Sequence, residues 1–192
     1  MTHGPTSDSS GAARFAAVRG KDVTLRRAEP ADEAALTRAV YEAWRWHERW
    51  DEAAYQEHRR TAGEDSYVDG FGTRAGDAGV VAVSAAGVCG AAWFRYFTSE
   101  SARAGYVHDG IPELVLAVDE CARGGGLGGR LLDHLLDIAA EQSIPRVSLH
   151  VDVANAHAIA LYESRGFATV RSTSRGNVMM RVDSRHRRPD GT

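Results

Sequence analysis

Between Val115 and Phe167 the chain reads apolar strand, glycine-rich turn, amphipathic helix, alternating strand and second helix, and this order constrains the fold more than any other stretch. The turn is Arg123-Gly124-Gly125-Gly126-Leu127-Gly128-Gly129-Arg130, with five glycines between 124 and 129. Each glycine loses extra conformational entropy on folding, which an ordinary strand–helix connection would avoid. The return is bare backbone, because main-chain N–H groups can converge on an anion only where no side chain blocks the approach. The helix start adds four unpaired donors and the positive end of its dipole. The segment therefore reads as a seat for a pyrophosphate.

The flanking pattern supplies the rest of the fold. Strands are expected at Val23 to Arg27, Gly79 to Ser84, Val88 to Phe97, Glu113 to Val118 and Val147 to Val153. A closing pair is expected at Ala168 to Ser174 and Asn177 to Val182. Helices are predicted from Glu33 to Trp50, with Leu36, Val40, Trp44 and His47 on one face, and from Glu52 to Thr61. Two more are predicted from Gly126 to Gln142 and from Ala156 to Arg165, the last ended by Gly166. Asp32 is placed as the cap of the first helix, and residues 62–78 read as a loop. Antiparallel strands, one βαβ unit and a final hairpin imply an α/β fold with a mixed sheet and helices on both faces. The domain is set at 21–183, with a disordered leader at 1–20 and a flexible basic tail at 184–192.

Net charge is −3, which gives no support for nucleic-acid binding. No apolar run approaches the length of a membrane span, and residues 1–20 lack a signal-peptide core. Cys89 and Cys121 are read as unpaired thiols of a cytoplasmic protein.

Gly124-Gly125-Gly126-Leu127-Gly128-Gly129 satisfies G-x-G-x-x-G, and Asp152 follows at a strand end, so a dinucleotide-binding Rossmann unit is the competing reading. Against it, Asp119 to Arg123 separate the strand from the first glycine. Too little chain follows for a second half, and a hairpin precedes the unit. The segment resembles instead motif A of the GNAT superfamily of acyl-CoA-dependent N-acyltransferases, with Leu116-Ala117-Val118 as the strand, Arg123-Gly124-Gly125-Gly126-Leu127-Gly128 as the loop and Leu131-Leu132 in the helix. Asn155, Leu161-Tyr162 and Gly166-Phe167 resemble the family's next motif, and Thr24-Leu25-Arg26-Arg27-Ala28 with Asp32 its opening. Glu120-Cys121-Ala122 departs from the proline and aromatic found in many members, and residues 41–78 carry no generic motif.

The resemblance implies a three-layer fold whose mostly antiparallel sheet splays at its middle strands, and an acetyltransferase using acetyl-CoA and a primary amine. No metal is implied. Acyl-CoA binding without turnover, as a regulatory module, is the alternative. The pyrophosphate of coenzyme A would lie on Gly124, Gly125, Gly126, Leu127, Gly128 and Gly129, with Arg123 adding charge or shaping the loop and Arg130 reaching a phosphate. Leu116, Ala117 and Val118 would pair with the pantetheine arm, and the Val118 N–H would polarise the thioester carbonyl. Glu113 is the candidate base, because an alkylamine with a pKa of about 10 must be deprotonated. His150, Asp152 and His108 are weaker candidates. Tyr162 would protonate the departing thiolate, and Asn155 would hydrogen-bond the arm or order the strand end. An aromatic wall drawn from Trp44, Trp46, Trp50, Tyr55, Tyr67, Phe71, Trp93, Tyr96 and Phe97, with Glu42, Glu48 and Asp51, would suit a cationic acceptor. The acceptor itself stays open among small molecules, antibiotics, peptide N-termini and protein lysines. A homodimer is compatible with the sequence, which shows no interface.

Overall fold

The computed structural model describes residues 23–61 and 66–183. The expected leader at 1–20 and tail at 184–192 lie outside them. Strands β1 (Thr24–Arg27), β2 (Ala78–Ser84), β3 (Gly87–Arg95), β4 (Glu113–Val118), β5 (Arg146–Val151), β6 (Ala168–Thr173) and β7 (Gly176–Val182) form one sheet in the order β1-β2-β3-β4-β5-β7-β6. Four α-helices accompany them: α1 (Glu33–Trp44), α2 (Glu52–Thr61), α3 (Leu127–Glu141) and α4 (Ala156–Glu163). Adjacent strands are antiparallel except β4 and β5, which run parallel and are joined by α3. The expected mixed α/β sheet is the one found.

Alternation along the strands sorts side chains into two cores. Leu114 faces one side with the stripe Leu127, Leu131, Leu135 and Ile138 of α3, joined by Tyr162 of α4. Val115 and Ala117 face the other, with Leu36 and Val40 of α1 and with Tyr67, Val68 and Phe71. Each fully buried large apolar side chain contributes about 1.5–3 kcal/mol. Trp93, Phe94, Leu131 and Leu135 are all at 0% exposure, so both faces of β3 and one face of α3 are anchored firmly.

The structure corrects three local expectations. Helix α1 stops at Trp44 rather than Trp50: Arg45 leaves helical geometry (φ −110°, ψ 31°), Trp44 is 56% exposed, and His47 lies beyond the helix. Long-range partners compete with the helix ladder there. The Trp46 carbonyl accepts from Arg123 Nη1 (3.3 Å), and the Trp50 N–H donates to Glu120 Oε2 (3.4 Å). Asp32 precedes α1 but makes no side-chain cap; its carboxylate takes both Arg26 guanidinium nitrogens at 2.7 Å and the Glu29 N–H at 2.9 Å. Finally, the expected 62–78 loop ends one residue early, because Ala78 already belongs to β2, and residues 66–77, though irregular, carry Tyr67, Val68 and Phe71 into the core.

Candidate active site

β4 and β5 share one pair of register partners, Glu113 with Ser148, and beyond it the strands part. Val115, Leu116 and Val118 are only partly buried although β4 is central, because their β5 side is open. The Asp119 N–H donates to Cys89 of β3 (3.0 Å), and the Pro112 carbonyl accepts from Ser148 of β5 (3.0 Å). Alternation between these two fixed points turns the N–H groups of Leu116 and Val118 into the gap. A cavity of about 950 Å³ occupies it and runs from the glycine turn to Glu113.

At the turn, Gly124 and Gly126 have φ of +81° and +75°, a region costly for any residue with a Cβ. Gly126 caps α3 with no side chain, and the first turn, Leu127-Gly128-Gly129-Arg130, carries no acid, so its N–H groups are free of a side-chain cap. Gly124, Gly126, Leu127, Gly128 and Gly129 line the cavity. Gly129 also has a packing reason, since a Cβ there would lie 2.6 Å from Arg165 Nη2. Uncapped donors at a helix N-terminus, with bare backbone before them, fit a diphosphate.

The two arginines that flank the turn differ. Arg123 lines the cavity, and its guanidinium donates to the carbonyls of Val118 (2.9 Å) and Trp46 (3.3 Å), which shapes the loop and straps the 45–51 segment to it. Arg130 reaches the Val23 carbonyl (3.4 Å) on the β1 side of α3, away from the cavity wall.

Glu113 stands at the closed end of the gap, 3% exposed. Its Oε1 accepts from the Tyr67 hydroxyl and the Gly105 N–H, both at 2.8 Å, while its buried Oε2 has no partner. Burial raises its pKa to about 7, against the opposing effect of those two hydrogen bonds and of Arg103. Tyr162, from α4, is 6% exposed and lines the opposite wall; burial pushes its phenol well above the ordinary value. Asn155 caps α4, its Oδ1 accepting from the Ala158 N–H (3.1 Å), and its side chain borders the cavity. His150 and Asp152 also line it, whereas His108 belongs to the turn before β4.

Of the aromatic residues, Trp44, Trp46 and Tyr67 reach the cavity. Trp50 packs against Tyr41 and Tyr55 under the Arg38 guanidinium, and Trp93 is core, donating its N–H to the Tyr67 carbonyl. Tyr67 and Glu42, which the sequence offered only as parts of an acceptor wall, have closer roles. Tyr67 is the partner of Glu113, and Glu42 is a second buried carboxylate on the wall. Burial and the nearby Asp119 raise Glu42 to about 7, and its Oε2 has no partner. Neither leaves a local signal, because both depend on contacts distant in sequence.

Solved structures share this architecture. The PaiA N-acetyltransferase of Thermoplasma acidophilum, in complex with coenzyme A, superposes with a TM-score of 0.62 at 15% identity, over 84% of this chain and 99% of that one. A ribosomal-protein-alanine N-acetyltransferase from Brucella melitensis gives 0.56 at 25% identity, over 83% and 99%. Among curated proteins, mycothiol acetyltransferase of Beutenbergia cavernae is 48% identical over 56 residues, 29% of this chain and 19% of that protein. The ribosomal protein bS18-alanine N-acetyltransferase of Escherichia coli is 47% identical over 58 residues, 29% and 39% respectively. The matched segments thus span well under half of these curated relatives. Residues 35–167 match the model of the Acetyltransferase (GNAT) family, and the chain belongs to that family.

Proposed function

We propose that the protein transfers an acetyl group from acetyl-CoA to a primary amine by direct attack in a ternary complex. The observation that carries this reading is the cavity through the parted β4–β5 pair, with uncapped helix donors at one end and a buried carboxylate of pKa about 7 at the other. Acetyl-CoA supplies the acyl group as a thioester and takes away its electron pair as a thiolate. The turn at 124–129 holds the diphosphate, and the gap-facing N–H groups of Leu116 and Val118 pair with the arm and polarise the carbonyl. Glu113 accepts the proton the amine must lose. Five strand steps of about 3.3 Å separate Glu113 from Val118, about 16 Å in all, so it acts through an intervening group rather than by direct contact. Tyr162 holds the proton that the sulfur receives. Burial disfavours the anionic form of phenol and thiol alike, so the raised phenol remains matched to its task.

The test is thiol release from acetyl-CoA across a panel of diamines, aminoglycosides, lysine peptides and alanyl peptide N-termini. At least one amine should be turned over, and Tyr162→Phe should lower kcat about 100-fold with the KM for acetyl-CoA kept. Tight coenzyme A binding with no turnover of any amine would favour a binding module instead.

A further inference from the structure

Resting on the acetyltransfer reading, we infer that His150 is the catalytic residue that takes the proton from the attacking amine, with Glu113 the sink behind it. Register carries the argument. Glu113 pairs with Ser148, so the next level up the parallel strands brings together Val115 and His150, where the gap begins to widen. Val147, Leu149 and Val151 face α3, so Ser148 and His150 face the α1 side, as Glu113 does. His150 therefore stands on the acceptor side, between Glu113 and the carbonyl-binding backbone of Leu116 and Val118, and lines the cavity.

The ring is also held in place. A Cβ at Gly176 would lie 2.7 Å from His150 Cε1 and Nε2 and 2.3 Å from the Val151 carbonyl oxygen, so bare backbone at that point of β7 lets the imidazole lie flush against the strand. Burial lowers the pKa of His150, Asp152 on its own segment opposes this, and Arg171 of β6 adds to it. Glu113 of β4 and Arg175 of the β6–β7 turn also border the cavity. Burial thus favours the neutral ring, the form that can accept a proton.

The step balances. The amine lone pair forms the C–N bond, and the C–S pair leaves with sulfur, which takes the Tyr162 proton. The proton shed by nitrogen passes to His150, then through Glu113 to solvent, from which Tyr162 is reprotonated.

The experiment uses the full chain with whichever amine the wild type turns over. His150→Gln should lower kcat/KM for the amine about 100-fold, leaving acetyl-CoA affinity and the thermal midpoint unchanged. In His150→Gly, added imidazole should restore the rate more than tenfold, and His150→Asn replaces the Gln variant if that one misfolds. Wild-type rates in the substituted enzyme would overturn the inference, and so would a loss that imidazole does not rescue. A wild type that binds acetyl-CoA but acetylates no amine overturns the parent reading, and that result is seen before any variant is made.

Discussion

Replacing Glu113 by Gln should make the protein more stable above pH 7 while removing its activity. The sign follows from the raised pKa. A carboxyl at about 7 in the fold and at its ordinary 4.5 in the unfolded chain binds its proton more tightly when folded. Stability from that proton is complete below 4.5, declines as pH rises between the two values, and is gone above about 7. The interval corresponds to about 3 kcal/mol. Tyr67 and Gly105 can still donate to the Gln carbonyl oxygen, so the neutral variant keeps both bonds and loses the cost of a buried anion. Urea unfolding of both proteins at pH 5 and pH 8.5 isolates the effect, because Glu42 and all other titrating groups are common to the pair. The stability difference should move in favour of Gln by about 2–3 kcal/mol between the two pH values. A difference that stays constant with pH would refute the reasoning, since it would mean that Glu113 titrates alike in folded and unfolded chains.

Two further substitutions separate binding from folding. Gly126→Glu would confound them, because φ of +75° strains any side chain there; Gly128→Ala avoids this, its Cβ meeting Leu161, Val118 and Leu116 at 3.6–3.8 Å. It should raise stability by up to about 1 kcal/mol through helix propensity. Its methyl would narrow the cavity wall next to those side chains, at the first turn of α3, and should weaken acetyl-CoA about tenfold by calorimetry; unchanged affinity would count against the assignment. Asn155→Ala removes the cap on α4 and should cost about 1 kcal/mol, a fall of roughly 2–4 °C in the thermal midpoint. It should also lower kcat, because α4 carries Tyr162.

What could be read from the sequence was what neighbouring residues decide. The glycine turn and Gly166 at the end of α4 (φ +81°) are backbone requirements of their own few residues, and the chain states them directly, whereas the capping role of Asn155 came only with the structure. The limits of β4 came out as Glu113 to Val118 because Leu114 to Val118 is an unbroken apolar run, as a central strand requires. The gap beside β4 was foreseen only through family resemblance, since strand pattern carries no register. The surroundings of Glu113 were illegible for a related reason. Tyr67 lies 46 residues away, in a stretch whose glycines and aspartates read as loop. Gly70 and Gly72 do take turn conformations there, but they aim Tyr67 and Phe71 inward. The premature end of α1 likewise depends on Glu120 and Arg123, which no local propensity registers.

The protein pairs several of its buried charges and leaves others open, and two of the open carboxylates border the cavity. Arg95, 1% exposed, spends its guanidinium on both oxygens of Asp77 and on the carbonyls of Ser66 and Asp69. Glu113 and Glu42, nearly as buried, each keep an unpartnered oxygen, and both border the cavity. An orphaned buried acceptor costs about 1–3 kcal/mol, and the positive charge of an ammonium bound further along the cavity would draw the Glu113 pKa down without touching it. At pH 7, where Glu113 is about half protonated, binding an ammonium in the cavity should therefore release up to about half a proton. Calorimetry of acceptor binding in buffers of different ionisation enthalpy measures that number, and Glu113→Gln should abolish its contribution. Binding heats that are independent of buffer in the wild type would place the ammonium out of electrostatic reach of Glu113 and remove that carboxylate from the acceptor site.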